Sequence, residues 1–182
     1  MQLTENRKLA WIVFALCAVV AITFGGGRSL NGLRNETLKL FTDGEGADGA
    51  GVNRDLNQRA DKAQMMASIA LKYLPADDAG AVEVQKASET LRQSENLADR
   101  QRANALLNTA IETLYSRLDV LNASENDQRD LRTAYRDFKG HGDMISRDPF
   151  NEKARDFNKV RSGFPAGLIA GLSGVHELPA FE

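Results

Sequence analysis

The sequence predicts an all-α protein: an antiparallel four-helix bundle of long helices, up-down-up-down, with an N-terminal transmembrane helix. Two patterns carry that prediction. Leu9 to Phe24 (LAWIVFALCAVVAITF) contains no charged residue. Downstream, apolar residues recur at alternating steps of three and four, the spacing that keeps one face of a helix against a core. No segment shows the alternating β-branched pattern of a strand. At 182 residues the chain is long enough for one domain and an anchor, so residues 1–27 read as tail and anchor and residues 28–182 as a helical bundle with an apolar C-terminal tail.

The apolar run is preceded by Arg7 and Lys8 and followed by Gly25, Gly26 and Gly27. Sixteen helical residues rise about 24 Å, and the glycines extend this to about 28 Å against a hydrocarbon core of about 30 Å. A cleaved signal peptide also has a basic start and an apolar centre. The length of the run, Trp11 at an interfacial position and the lack of a clean Ala-x-Ala site favour retention. Cys17 reads as a small hydrophobe of the span. Arg7 and Lys8 lie closer to the apolar run than Arg28, Arg34 and Lys39, which tilts the positive-inside rule towards a bulk facing away from the cytoplasm.

Beyond the glycines, Leu30, Leu33, Thr37 and Leu40 continue the anchor as an amphipathic helix to about Phe41. Thr42 to Gly51 is rich in glycine and carries Asp43, Glu45 and Asp48. It lacks the ligand spacing of an EF-hand and reads as a flexible loop. Val52, Leu56, Ala60, Ala63, Ala67, Ala70 and Leu74 form the next seam, whose alanines permit close helix approach. Pro75 ends that helix, and Asp77 or Asp78 caps the following one. Val84, Ala87, Leu91, Ser94 and Ala98 lead to the polar patch Asp99 to Arg102, where either one helix carries a wet turn or two helices meet. Leu107, Ala110, Leu114, Leu118 and Leu121 resume the seam. Ser124 and Asp127 resemble a capping box. Leu131, Tyr135 and Phe138 follow, Gly140-His141-Gly142 is expected to break that helix, and Asp148-Pro149 to start the last one, to about Ser162.

Composition excludes several activities. With 25 acidic against 23 basic residues, and 24 against 21 once Glu5, Arg7 and Lys8 are removed, the domain lacks the basic face that phosphate backbones require. One cysteine permits no intrachain disulfide, and two histidines, His141 and His176, do not make zinc spacings. No nucleophile with an oriented base stands out, so the expectation is a chain that is not an enzyme, with no catalytic, cofactor or metal residues.

Phe150-Asn151, Phe157-Asn158 and Phe164-Pro165 stand seven residues apart, followed by Ala166-Gly-Leu-Ile-Ala-Gly-Leu172 and a terminal Phe181-Glu182. This pattern resembles the C-terminal signature of the LemA family, strongly over residues 140–182, fairly over Leu107 to Leu131 and loosely before that. Asp148-Pro149 and the glycine-rich loop depart from the family pattern. The family's basic, Pro-containing stretch is replaced here by Arg59 to Tyr73. The resemblance implies a bacterial helical bundle on a membrane stalk with no established enzymatic activity.

Read from the residues alone, Phe150 and Phe157 lie on one helical face and are expected in the core. Asn151 and Asn158 beside them are expected to lock the helix register against the neighbouring helix by hydrogen bonding, with partner recognition as the rival role. The apolar tail after Phe164-Pro165 must lie on the bundle, the membrane surface or a partner. The functional expectation is a single-pass protein of the bacterial inner membrane that serves as a protein-interaction or scaffold module. It has an unidentified protein partner and no nucleic acid or small-molecule substrate. The alternatives are a ligand-sensing bundle, for which the short stretch before the span offers no receiving module, and a secreted helical domain released from a signal peptide.

Overall fold

In the computed structural model the described residues are 2–47, 49, 51–119 and 122–181. They form seven α-helices and no strand: α1 Gln2–Asp43, α2 Val52–Ala70, α3 Ala79–Gln93, α4 Leu97–Asp119, α5 Glu125–Arg147, α6 Pro149–Ser162 and α7 Ala166–Ser173. Asp48, Leu121 and Glu182, named above in the loop, the seam and the terminal pair, lie outside the described residues.

The 42 residues of α1 make one continuous helix, about 63 Å long at the standard rise. Its N-terminal part is long and apolar enough to cross a membrane and is not buried against the rest of the chain; a signal sequence has the same properties. Its C-terminal part belongs to the core through Leu30, Thr37 and Phe41. Leu33, expected on that face, is 44% exposed, because the buried line runs from residue 30 to 37 and 41 and leaves position 33 turned away. At the end of α1 the chain turns tightly. The Gly44 N–H donates to Leu40 O, and a β-carbon at Gly51 would stand 2.6 Å from the carbonyl oxygens of Leu40 and Phe41. Gly44, Gly46 and Gly49 have positive φ, so backbone geometry explains the glycines of this loop.

The centre of the molecule is α2, whose predicted seam is buried at Val52, Leu56, Ala60, Ala63, Ala67 and Ala70. It lies against α1, α3, α4 and α5. Lys72 with Asp127 (2.5 Å), Lys62 with Asp137 (3.0 Å) and Asp55 with His141 (2.9 Å) run in opposite order along α2 and α5, making these helices antiparallel. Arg117 with Asp78 and Arg100 with Leu91 O do the same for α4 and α3. The bonds from Arg100 to Asn53 and from Arg59 to Asn104 rise together, so α2 and α4 are parallel.

The helix boundaries follow the capping chemistry. Asp78 accepts from the Ala81 N–H, Ser124 from Asp127 and Asp148 from Phe150, with Pro149 next. Two helices meet near the polar patch, but the break falls earlier than expected, at Ser94 to Asn96, and Asp99 to Arg102 lie inside α4. The predicted break at Gly140-His141-Gly142 does not occur, and α5 runs through to Arg147. Two interior glycines cost a helix about 1 kcal/mol each. That cost is offset where Phe138 and Ile145 are buried on either side and His141 holds Asp55.

Candidate functional site

The six residues of the aromatic-asparagine repeat divide into two groups. Phe150, Asn151 and Phe157 are buried and Asn158 is half-buried, all on α6. Phe164 and Pro165, joined by a cis peptide bond, lie after α6, with Phe164 88% exposed.

The buried group receives the end of the chain. Asn151 Nδ2 donates to Phe181 O (2.8 Å), and the Phe181 N–H donates back to Asn151 Oδ1 (2.7 Å). Asn158 repeats the pairing with Leu178, Nδ2 to O at 2.7 Å and N–H to Oδ1 at 2.9 Å. One turn further, Arg161 Nε donates to Val175 O (2.7 Å). An asparagine amide presents one donor and one acceptor side by side and so substitutes for a neighbouring strand. The register follows from two rises. Seven helical residues span about 10.5 Å, and three extended residues about 10 Å, so asparagines seven apart meet tail residues three apart. The same period buries Val175, Leu178 and Phe181.

Phe181 ends between Phe41 of α1 (ring centroids 5.6 Å) and Phe150 of α6 (6.2 Å), which contact each other at 5.2 Å. The Arg100 guanidinium lies over the Phe41 ring at 5.4 Å, and Gln101 Nε2 donates to Ala180 O. The clamp therefore joins α1, α4, α6 and the C-terminal tail. Expected to lock α6 against a neighbouring helix, the asparagines bond the C-terminal tail instead, and every polar atom of their amides is engaged within the chain.

A model of the LemA family matches residues 49–182, a range that contains Asn151, Asn158, Arg161 and the tail they hold, but not Phe41. The chain belongs to the LemA family. No curated protein and no solved structure matches it. In this LemA protein the residues before 49, with the whole of α1, lie outside the matched range.

A second polar cluster occupies the centre of the LemA domain. Arg59 is buried in α2, donates to the amide oxygens of Asn104 and Asn108, and lies 4.0 Å from the Phe138 ring centroid. Burial pushes its guanidinium down to about 10, while the Asp143 charge opposes that shift. Its Nε has no hydrogen-bond partner. A β-carbon at Gly142 would stand 3.4 Å from Arg59 Cζ, leaving room for little beyond a methyl group. Arg100 is built the same way, donating to Asn53, Asn57 and Leu91 O, and burial lowers its pKa too. Sequence reasoning placed neither arginine in the core. The available signal was the pairing of asparagines four apart, Asn53 with Asn57 and Asn104 with Asn108, beside apolar seams.

Asp55 is buried and bonded to His141, and His176 is exposed in the tail. Among the described residues no three His, Cys, Asp or Glu side chains converge to hold a metal ion. The clusters are hydrogen-bond scaffolds: apart from Arg59 Nε, the donors named face acceptors of the same chain, and they fix helix register and the position of the tail.

Proposed function

We propose that this LemA protein is a single-pass protein of the bacterial inner membrane, not an enzyme, whose helical domain serves as an interaction or scaffold module for another protein. The observation that carries this reading is the continuity of α1. One helix bears the exposed apolar run and also contributes Leu30 and Phe41 to the core, so the domain is held rigidly to its anchor with no intervening linker. The alternating directions of α2, α3 and α4, with α5 antiparallel to α2, support an up-down-up-down four-helix unit as its body. The charge balance of residues 28–182 supports a protein partner over nucleic acid. The placement of Arg7 and Lys8 supports an extracytoplasmic domain.

Carbonate-washed membranes containing the full chain should retain it at full mass, and a soluble product beginning near Gly26 would replace the anchor with a signal peptide. Lysine-reactive cross-linking in intact membranes should give a discrete species containing a second polypeptide. A chain that forms none would overturn the scaffold role.

A ligand-sensing reading is favoured by one feature, a groove of about 1010 Å³ between Arg34, Asn53, Arg100 and the His176–Pro179 tail. Calorimetry with small carboxylates and phosphates tests it, and heats of dilution alone would remove it.

A further inference from the structure

We propose that α7 and Phe164 form a second membrane contact, an interfacial foot that lies in the bilayer surface beside the span and seats the domain on the lipid. This rests on the reading of α1 as a membrane anchor. Three observations lead to it.

The first is chemical. Gly163 to Val175 contains no charged residue, and its apolar side chains divide between two faces. Ala170 is buried and Ile169 packs against the core, whereas Leu168 and Leu172, four residues apart on the other face, are 66% and 72% exposed. Phe164 just ahead of the helix is also exposed. A short helix with one face docked and a bare leucine face is unfavourable in water and suited to the headgroup boundary.

The second is positional. α7 docks on α1 at Gly26 and Gly27, where added β-carbons would stand 2.7 Å from Ile169 Cδ1 and 2.4 Å from Ser173 Oγ. The glycines are the notch that receives this helix. Leu172 and Ser173 share a surface hollow with Thr23, Phe24 and Gly25. The foot is therefore continuous with the end of the apolar run.

The third is a matter of length. Leu9 to Phe24 spans about 24 Å of a hydrocarbon core of about 30 Å. Most of the missing ~6 Å corresponds to residues 25–27, where α1 itself offers only glycines. Leu168 and Leu172 supply that surface at the same depth, and Arg28 follows at headgroup level.

Depth measurements on nitroxide labels test the proposal, using the full chain with Cys17→Ser reconstituted in phosphatidylcholine–phosphatidylglycerol vesicles. Labels go singly at Leu172→Cys, Leu168→Cys, Val19→Cys in the span and Val82→Cys on α3, all exposed positions. Labels at 168 and 172 should collide with dissolved oxygen in preference to a water-soluble nickel chelate, as at 19, with the reverse preference at 82. Chelate access at 168 and 172 matching that at 82, with 19 still in lipid, would overturn the foot alone. Chelate access at 19 as well would overturn the anchor and the foot with it. Spin–spin broadening between labels at 172 would show that a second copy of this chain covers the face, and would likewise overturn the lipid contact.

Discussion

The α2-centred core and the C-terminal clamp use asparagine in opposite ways. Around α2, Asn104 and Asn108 offer amide oxygens to the buried Arg59, holding a side-chain charge in place by dipoles. On α6, Asn151 and Asn158 offer both amide atoms to the backbone of the terminus, holding an irregular segment that has no secondary structure of its own. In the core the apolar seam already brings the helices together, and the polar group selects their register. In the clamp the tail has no helix to satisfy its backbone, so the asparagines supply the missing partners. The difference predicts that the clamp depends on its amides more than the core does.

The largest expected effect is common to both regions, because Phe150 packs with Phe41 and Phe181 where they meet. Phe150→Ala, like Phe157→Ala, should leave a cavity and lower the unfolding free energy by about 3–5 kcal/mol. Denaturant titration of the full chain in detergent measures it. Next, Asn151→Ala strands the Phe181 carbonyl and N–H and removes one of the two donors to the Ile145 carbonyl, so the loss should lie towards the top of about 1–3 kcal/mol. Asn158→Ala, half-buried and with two bonds, should lose less. Protease nicking after residue 174 should rise in both variants, and a tail protected as in wild type would remove the clamp.

Arg59→Met should cost less than Asn151→Ala, because exchanging a buried charge for an apolar side chain relieves desolvation while stranding two amide oxygens. Arg59→Met with Asn104→Leu and Asn108→Leu should then recover most of the loss. A triple variant as unstable as the single one would show that the charge itself stabilises the core.

The smallest effect concerns acid. Lys72 first, then Tyr73 and Ser124, lower the Asp127 carboxyl from its ordinary 3.8 to about 2. Because the folded value is the lower one, the contribution is present above about pH 4 and disappears as pH falls through about 2. The stability difference between wild type and Asp127→Asn should shrink across that window, and a difference constant from pH 5 to 2 would refute the linkage.

Local chemistry was enough to determine the helices. The steps of three and four in Val52 to Ala70, the caps at Asp78, Ser124 and Asp148, and Pro149 each act within a turn or two of chain, so their outcome could be read without knowing the partners. The uncharged run Leu9–Phe24 and the seven-residue aromatic-asparagine repeat were equally legible, as were Phe150 and Phe157 in the core. Only the tertiary structure decided what crosses between segments distant in sequence. The face of α1 expected through Leu30, Leu33, Thr37 and Leu40 runs through Leu30, Thr37 and Phe41, with Leu33 turned out to 44% exposure. Gly140 and Gly142, which read as a break, stay helical because Arg59 and Asp55 arrive from α2, about 85 residues earlier. Arg59 and Arg100 belong to residue types that ordinarily prefer water, and asparagines brought from another helix, with the Leu91 carbonyl for Arg100, make their burial tolerable. The asparagines of α6 showed that hydrogen bonds were needed, while their partners, Leu178 and Phe181, depended on the two rises that bring tail and helix into step.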